Sequence, residues 1–221
     1  MDISEIKRFL GQDWTDTETL IRRSLDSDIG LLNSTNRALL ANGGKQLRPI
    51  LGLLVARACG GGSVAGDSIR FAAASELLHN ATLLHDDVAD SSKERRGRPT
   101  VMSILGGPAS VLIGDFWLVR AVECILSAEN KTGEVIRIFS KTLSDLAEGE
   151  MLQLEKADSG DTDERDYCKI IYSKTASLFE AVCVSCALSV DACQEWVEAV
   201  REYSVALGMA FQIRDDMFDY S

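Results

Sequence analysis

The chain has 221 residues with 23 basic and 34 acidic side chains, so its formal net charge is −11. Hydrophobic residues make up 46% and charged residues 26%, a balance that is typical of a folded domain and argues against extensive disorder. An acidic chain repels phosphate backbones, so we expect no nucleic-acid partner.

Apolar residues recur at helical spacing along much of the chain, first over residues 69–84, then over 135–154 and 197–213. No proline follows residue 108, so long helices are allowed in the second half. Clusters of glycine, proline and polar residues predict loops at 42–44, 59–62, 96–99, 106–108 and 157–163. Without an alternating strand pattern or a hairpin signal, the sequence predicts an all-α bundle in a single domain.

The sequence predicts neither a membrane span nor a secretory signal. The longest uncharged run, residues 99–114, is broken by Pro99, Gly106, Gly107 and Pro108, whereas a spanning helix needs roughly 20 apolar residues. The N-terminus has no basic region followed by an apolar one. We therefore expect a cytoplasmic protein with reduced thiols.

Cys183 and Cys186 have the CxxC spacing of many zinc sites. The chain has only two histidines, His79 and His85, to complete such a site. The surrounding residues are apolar, so the sequence favours small core residues on a helix over zinc ligands.

Three aspartates follow the first long apolar stretch. Asp86 and Asp90 are four residues apart and share a helix face, with Asp87 beside them. The triplet alone fits either a solvated helix end or a site for a hard cation. Mg²⁺ prefers oxygen ligands and is commonly held by one or two carboxylates together with substrate phosphates.

A second triplet, Asp215, Asp216 and Asp219, repeats this spacing after another apolar helical run. Two such triplets on separate helices can face each other across a bundle and place six carboxylates around one cavity. That concentration of negative charge needs cations. The pair of triplets therefore favours a site for two or three Mg²⁺ ions that bridge a diphosphate.

Two pairs of basic residues lie near glycines, one just after Gly43 and Gly44 and the other after the first triplet. Lys45 and Arg48 are three residues apart, and Arg95 and Arg96 follow the first triplet after a short loop. Each pair alone is more often an ordinary surface cluster. Beside a carboxylate–metal site, however, the pairs predict direct binding of a second diphosphate, because arginine offers a planar fork and lysine a point charge.

Six motifs occur in order along the chain: GGKQLRP at 43–49, LLHDDVADSSKERRGRPT at 83–100, VLIGDF at 111–116, EGEMLQL at 148–154, KTASLF at 174–179 and GMAFQIRDD at 208–216. With these motifs, residues 42–220 resemble the trans-type polyprenyl diphosphate synthases, a class I prenyltransferase family. The resemblance implies an isoprenoid-synthase-like bundle of long antiparallel helices around a central cavity. It also implies a homodimer and one domain over residues 1–221 that lacks the family's C-terminal helices.

The resemblance implies a role for each candidate site residue. Isopentenyl diphosphate would be bound by Lys45, Arg48, His79 and Arg96. Mg²⁺ ions on the allylic diphosphate would be held by Asp86, Asp87, Asp90, Asp215, Asp216 and Asp219. The same allylic group would contact Arg95, Lys174 and Gln212, while Thr175 and Gln212 would stabilise the carbocation. Without the motif, His79 would be interpreted as a hydrogen-bonded core histidine.

The implied reaction begins with ionisation of the allylic C–O bond, which Mg²⁺ and basic groups assist. Isopentenyl diphosphate then attacks the cation, and loss of a proton gives an allylic product one C5 unit longer. In this family, bulky aromatic residues four and five positions before the first aspartate stop growth at short products. Here those positions hold Thr82 and Ala81, with Leu78 eight before, so we expect a medium- to long-chain product.

Three other functions remain open at this point. A terpene cyclase shares the first triplet, but it normally lacks the GGKxLRP segment. A metal-dependent phosphohydrolase could use His79, His85 and Asp86, but it would leave the second triplet unexplained. A non-catalytic subunit of a hetero-oligomeric synthase is the third alternative, and both complete triplets argue against it.

Overall fold

The structure is a computed structural model that describes residues 2–219, without the side chain of Asp219. Helices account for most of this part: α1 (Ile3–Leu10), α2 (Gln12–Ser24), α3 (Gly30–Ala41), α4 (Leu47–Cys59), α5 (Gly66–Ala89), α6 (Val101–Leu105), α7 (Gly107–Leu126), α8 (Thr132–Ser159), α9 (Glu164–Ile171), α10 (Ser177–Ser189) and α11 (Gln194–Asp219). A hairpin of two short strands, β1 (Glu94–Arg95) and β2 (Arg98–Pro99), follows α5, and the π-helical turn Tyr172–Ala176 joins α9 to α10. The predicted all-α bundle is confirmed.

Helix α5 lies at the centre of the bundle. All eight side chains from Phe71 to Leu78 are buried, because α2, α4, α7 and α10 pack around this helix. A helix that is buried on every side carries small and apolar residues around its whole circumference, and three consecutive alanines begin at Ala72. The first aspartate triplet therefore lies where this central helix leaves the core.

Helices α5 and α7 approach closely near that end. A Cβ atom added to Gly114 would lie 2.4 Å from Nε2 of His85, so only glycine fits there without movement. One turn away, the Ser110 hydroxyl donates to the carbonyl oxygen of Leu84 at 2.9 Å. These contacts fix α7 against the end of α5 that carries the first triplet.

The π-helical turn is held between α8 and α11 by two glycines. A Cβ atom at Gly149 would lie 2.5 Å from Cβ of Ser173, and one at Gly208 would lie 2.5 Å from Cα of Ala176. Single π-helical turns inside α-helices occur frequently at functional sites. This turn carries Lys174 and Thr175, and the close packing brings both beside polar residues of α8 and α11.

Three predicted loops differ in detail from the structure. At 106–108, only Gly106 separates α6 from α7, which begins at Gly107. Residues 96–99 belong to the small hairpin, whose turn residues Arg96 and Gly97 both have positive φ angles, 53° and 72°. That combination is typical of a two-residue hairpin turn, but asparagine or aspartate is more usual than arginine at the first position. The loop predicted at 157–163 starts too early, because α8 continues to Ser159 and ends at Gly160 in a left-handed conformation.

One helical stretch, Glu164–Ser189, is long and apolar enough by composition to cross a membrane. The most apolar part of this stretch is 83% buried inside the protein, as expected for a core helix. Cys183 and Cys186 lie in this stretch and are both buried, and burial raises the pKa of each thiol. The predicted core position of these cysteines is confirmed.

Candidate active site

The first aspartate triplet occupies the last turn of α5 and its C-cap. Burial raises the pKa of the Asp86 carboxyl to about 6, and the nearby negative charge of Glu150 adds to this rise. Asp87 is buried and accepts a hydrogen bond of 2.9 Å from Nε of Arg95. Asp90 caps the helix and is exposed. Arg95, predicted to contact a substrate diphosphate, is thus paired with a carboxylate of the triplet itself.

The second triplet lies at the end of α11. Both oxygens of Asp216 accept hydrogen bonds, one from the Tyr167 hydroxyl at 2.6 Å and one from Nε2 of Gln212 at 2.8 Å. Asp215 is half-buried and has Nη2 of Arg214 at 3.6 Å. The side chain of Asp219 lies outside the part of the chain that the structure describes.

The π-helical turn connects the two acidic segments. Nζ of Lys174 lies 2.6 Å from Oε1 of Glu150 and donates to Oε1 of Gln153 at 2.8 Å. The hydroxyl of the next residue, Thr175, donates to Oε1 of Gln212 at 2.6 Å. Because Gln212 also binds Asp216, a series of polar contacts runs from α8 through the turn to the second triplet. The negative charge of Glu150 also raises the pKa of Asp86, so this series of contacts lies close to the first triplet.

A second group of cations lies beside the middle of α5. The Arg48 guanidinium lies 4.8 Å from the centroid of the Phe179 ring, and its Nε is buried without a hydrogen-bond partner among the described residues. Burial lowers the pKa of Arg48 to about 10, so it stays charged at neutral pH. A buried guanidinium nitrogen without a partner is well suited to receive an anionic ligand.

His79 and Arg96 join Arg48 in this group. Burial and the charges of Arg48, Arg96 and Arg95 hold the pKa of His79 well below its usual value, so the ring is neutral at pH 7. The Arg96 guanidinium lies against Gly44, where a Cβ atom would come within 2.4 Å of Nη1. The hairpin and the glycine-rich loop thus meet, and Lys45 is exposed in that loop.

The donors in the acidic segments suit Mg²⁺, since they are all oxygen atoms. Burial and the nearby carboxylates raise the pKa of Asp86 more than Lys174 and Arg95 lower it, so its negative charge favours a bound cation. Within the described residues, no three carboxylate, thiol or imidazole groups converge into a complete metal cage. A site in which substrate phosphates supply further ligands does not require such a cage.

Sequence reasoning overlooked several residues of this site. Glu150 and Gln153 lie within the EGEMLQL motif, but no role was predicted for them. Tyr167 binds Asp216 from 49 residues away, so no local pattern points to it. Glu76 is three residues before His79 on the same helix face, and it is buried near Arg48. Two signals could have identified missed residues: the EGEMLQL motif for Glu150 and Gln153, and the spacing to His79 for Glu76.

Two acidic helix ends and a separate arginine–histidine group in an all-α fold form an arrangement that is suited to phosphorylated ligands held partly through metal ions. The family model "Polyprenyl synthetase" matches residues 30–221. The chain is 38% identical to an octaprenyl diphosphate synthase of Escherichia coli (strain K12), over all of this chain and 67% of that protein. The chain belongs to the polyprenyl synthetase family.

Solved structures agree with this assignment. A decaprenyl diphosphate synthase from Rhodobacter capsulatus has a TM-score of 0.94 and 36% identity, over 100% of this chain and 67% of that one. A polyprenyl synthase from Caulobacter crescentus CB15, complexed with calcium and isoprenyl diphosphate, has a TM-score of 0.91 and 37% identity, over 99% and 66%. The predicted fold and family are confirmed, and the chain spans about two thirds of the length of these relatives.

Proposed function

We propose that the protein is a trans-polyprenyl diphosphate synthase. It condenses isopentenyl diphosphate with an allylic diphosphate, such as farnesyl diphosphate, to give a longer all-trans polyprenyl diphosphate. The observation that carries this proposal is the series of polar contacts from Glu150 through the Lys174–Thr175 pair to Gln212 and the second triplet. Asp86 of the first triplet lies close enough to Glu150 for its pKa to be raised by that negative charge. The proposed catalytic domain covers residues 1–221.

The proposed site for the allylic diphosphate lies between the two triplets. Asp86, Asp90 and Asp215 would hold two or three Mg²⁺ ions, and bound Mg²⁺ supplies electrostatic stabilisation to the leaving diphosphate. Asp87 and Asp216 add negative charge around these ligands, while their own oxygens accept hydrogen bonds from protein groups. The predicted contribution of Asp219 is part of the same proposal.

Residues of the π-helical turn act on the allylic substrate in this proposal. On substrate binding, Lys174 would release Glu150 and contact the phosphate oxygens. Arg95 would likewise release Asp87 to contact them. The Thr175 hydroxyl donates to Gln212, which leaves the hydroxyl lone pairs free to face the allylic carbocation. Preorganised dipoles of this kind stabilise developing charge without reorganisation during the reaction.

Isopentenyl diphosphate is assigned to the second group of cations. Arg48 offers its buried guanidinium, Arg96 and Lys45 approach from the exposed side, and neutral His79 can donate one N–H. Binding there would hold the alkene close to the allylic carbon and replace a bimolecular encounter by a positioned attack. The proton lost afterwards is assigned to the released diphosphate, since no side chain presents an evident base.

The proposed product is of medium to long chain length. Ala81 and Leu78 are buried below Asp86, and Thr82 is half-buried with its hydroxyl bound to its own helix at the carbonyl oxygen of His79. No aromatic residue occupies these positions, so the chain of a growing product has no bulky barrier at this level. Relatives of the octaprenyl and decaprenyl type support the same conclusion.

The protein is further proposed to be a cytoplasmic homodimer. Helix α7 exposes three large apolar side chains seven residues apart, Leu112, Val119 and Leu126, at 68%, 54% and 57% of their surface. Ile104 of α6 is exposed to 67% nearby in the chain. A row of exposed apolar side chains on one helix face is commonly covered by a partner, and a second copy of this chain is the partner that we propose.

Product analysis tests the proposed function directly. The purified protein is incubated with Mg²⁺, isopentenyl diphosphate and farnesyl diphosphate, and the products are dephosphorylated and sized by chromatography. We expect all-trans chains longer than the primer, and no chains when Asp86→Ala or Asp215→Ala is used. If product forms only after a separate synthase is added, the alternative of a non-catalytic subunit is favoured instead.

A further inference from the structure

The N-terminal helices α1 and α2 precede the residues matched by the family model, which begin at residue 30. They are nevertheless fixed to α4, the helix that carries Arg48. The Arg57 guanidinium of α4 donates to the carbonyl oxygens of Phe9 and Leu10, at 2.8 and 2.7 Å, and pairs with Asp13 at 2.6 Å. Leu10 is also buried in a separate apolar cluster with residues of α4 and α5. Helices α1 and α2 are therefore held in a fixed position relative to α4 and to the cations around Arg48.

Lys7 of α1 contacts the glycine-rich loop directly. Its Nζ donates to Oε1 of Gln46 at 2.6 Å and lies 4.3 Å from the centroid of the Trp14 ring. Gln46 lies between Lys45 and Arg48, two of the proposed ligands of isopentenyl diphosphate. Its backbone is left-handed, with φ 57° and ψ 43°, a conformation that few residues other than glycine, asparagine and aspartate adopt readily.

We propose that Lys7 is a positioning residue for isopentenyl diphosphate: by holding the Gln46 side chain, it fixes the left-handed turn that presents Lys45 and Arg48. The inference rests on the proposed function, since it deepens the assignment of that substrate to this group of cations. Lys7 acts through Gln46 and is not itself a catalytic residue.

The surroundings of the contact make such a restraint necessary. A cavity of about 200 Å³ borders it, lined in part by Lys7, Gln46, Gly43 and Gly44. Gln46 therefore has open space on one side, so its hydrogen bond to Lys7 restrains a side chain that has room to move. The two glycines beside it add conformational freedom, so the hydrogen bond from Lys7 supplies order that the loop lacks.

Charge links Lys7 to the same group of side chains. Burial raises the pKa of Glu76 on α5, and the positive charges of Arg48, Lys7 and Arg96 partly oppose that rise. Burial lowers the pKa of Lys7, while Glu18 and Glu76 oppose that change. Loss of the Lys7 charge would therefore leave Glu76 with less compensation beside the cations that bind the diphosphate.

The test measures binding of isopentenyl diphosphate alone by calorimetry, so it needs no turnover. We expect Lys7→Met to weaken this binding about tenfold, because it removes the donor and the charge but keeps an unbranched apolar stem against Trp14. Binding of farnesyl diphosphate with Mg²⁺ should be unchanged, since that substrate is assigned to the other site. Arg8→Met, which removes an exposed charge from the same helix, is the matched control and should bind both ligands as the wild type does.

Two substitutions at residue 46 test the same hydrogen bond at its acceptor, Gln46. Gln46→Ala loses the acceptor and keeps the cost of a left-handed backbone, so it should weaken binding about as much as Lys7→Met. Gln46→Gly also loses the acceptor but adopts this conformation freely, so its loss should be smaller. Adding Lys7→Met to Gln46→Ala should cause only the smaller loss that follows from the missing charge near Glu76. Two full losses multiplied together would show that Lys7 acts independently of Gln46 and would overturn the proposal.

The outcomes separate this inference from the proposed function. If the wild-type protein does not bind isopentenyl diphosphate, the proposed function fails. If it binds and Lys7→Met binds equally well, the role of Lys7 is overturned while the proposed function stands. If Lys7→Met weakens both ligands equally, the residue supports the fold in general, and the positioning role is likewise overturned. Should Lys7→Met fail to fold, as judged by circular dichroism, the comparison of Gln46→Ala with Gln46→Gly decides.

Discussion

The ammonium group of Lys174 lies 2.6 Å from Oε1 of Glu150, and both side chains are about one-quarter exposed. Glu150 also acts on Asp86, whose pKa rises to about 6 chiefly through burial and then through this second negative charge. A single carboxylate of α8 therefore faces both a proposed phosphate-binding cation and a proposed metal ligand. Its charge should influence how strongly the acidic site attracts divalent cations.

We expect Glu150→Gln to raise the Mg²⁺ concentration needed for half-maximal activity about fivefold. The substitution keeps the size of the side chain and an acceptor for Lys174, but it removes one negative charge near Asp86 and so weakens the attraction for cations. The measurement is a Mg²⁺ titration of product formation at saturating substrates. Glu148→Gln, at an exposed position of the same helix, should leave the midpoint unchanged; an unchanged midpoint for Glu150→Gln would contradict the prediction.

The raised pKa of Asp86 predicts how stability changes with pH in the absence of metal. Between about pH 4 and pH 6, the carboxyl loses its proton in the unfolded chain but keeps it in the folded one. The contribution of this group to stability therefore falls as pH rises through that window, and it stays low above the folded pKa. Thermal unfolding followed in the presence of a chelator should show this fall.

Asp86→Asn tests the same prediction. The variant carries no titrating group at this position, so at pH 7 without metal it should unfold at a higher temperature than the wild type. It should also lose the additional stabilisation that Mg²⁺ and a diphosphate give to the wild type, together with its catalytic activity. Asp158→Asn, at an exposed position of α8, controls for a general change of net charge. An unfolding temperature equal to that of the wild type at pH 7 would refute the assignment.

Local patterns predicted most of the fold but little of the pairing inside the site. The helices of the bundle follow from apolar spacing, and the acidic triplets follow from their own sequence. The bond between Tyr167 and Asp216, in contrast, joins residues 49 positions apart and depends on how α9 packs against α11. The hairpin at 94–99 was missed because its turn uses Arg96 at a positive φ angle, which has no sequence signal.

The π-helical turn could not be predicted from the sequence either. Lys174 and Thr175 have an ordinary helical pattern, and nothing local shows that the helix widens there. The reason lies in distant residues: Gly149 and Gly208 remove the side chains that would hold α8 and α11 away from Ser173 and Ala176. Sequence reasoning identifies such glycines only after their partners are known.

Gly149→Ala should therefore impair activity through the position of this turn. Its new Cβ would lie 2.5 Å from Cβ of Ser173 and 3.5 Å from Cγ of Lys174, so α8 or the turn must shift. We expect a loss of about 1–3 kcal/mol in the free energy of unfolding, typical of an overpacked contact, together with a clear fall in kcat. Urea unfolding and steady-state kinetics measure the two effects.

Gly133→Ala is the matched control on the same helix. A Cβ at Gly133 meets nothing within 4 Å, so this variant should keep its activity and gain up to about 1 kcal/mol from the higher helix propensity of alanine. Equal activities in the two alanine variants would show that the close contact at Gly149 does not position Lys174.

Product length should respond to the residues one turn before Asp86. Ala81→Phe places an aromatic ring on the face along which the product is proposed to grow, and it should shorten the main product by one or more C5 units. Ala81 is 1% exposed, so the same change also costs about 1–3 kcal/mol of stability by overpacking. The products are sized by chromatography after dephosphorylation, at a temperature where the variant is shown to be folded.

Thr82→Phe provides a second, less crowded test, because Thr82 is only half-buried. It should shorten the product as well, whereas Thr82→Val, which keeps the size of the side chain and removes only the hydroxyl bound to His79, should not. The contrast between phenylalanine and valine at one position separates the volume of the side chain from any loss of its hydrogen bond. Unchanged product lengths in both phenylalanine variants would mean that the growing chain follows a different face of α5.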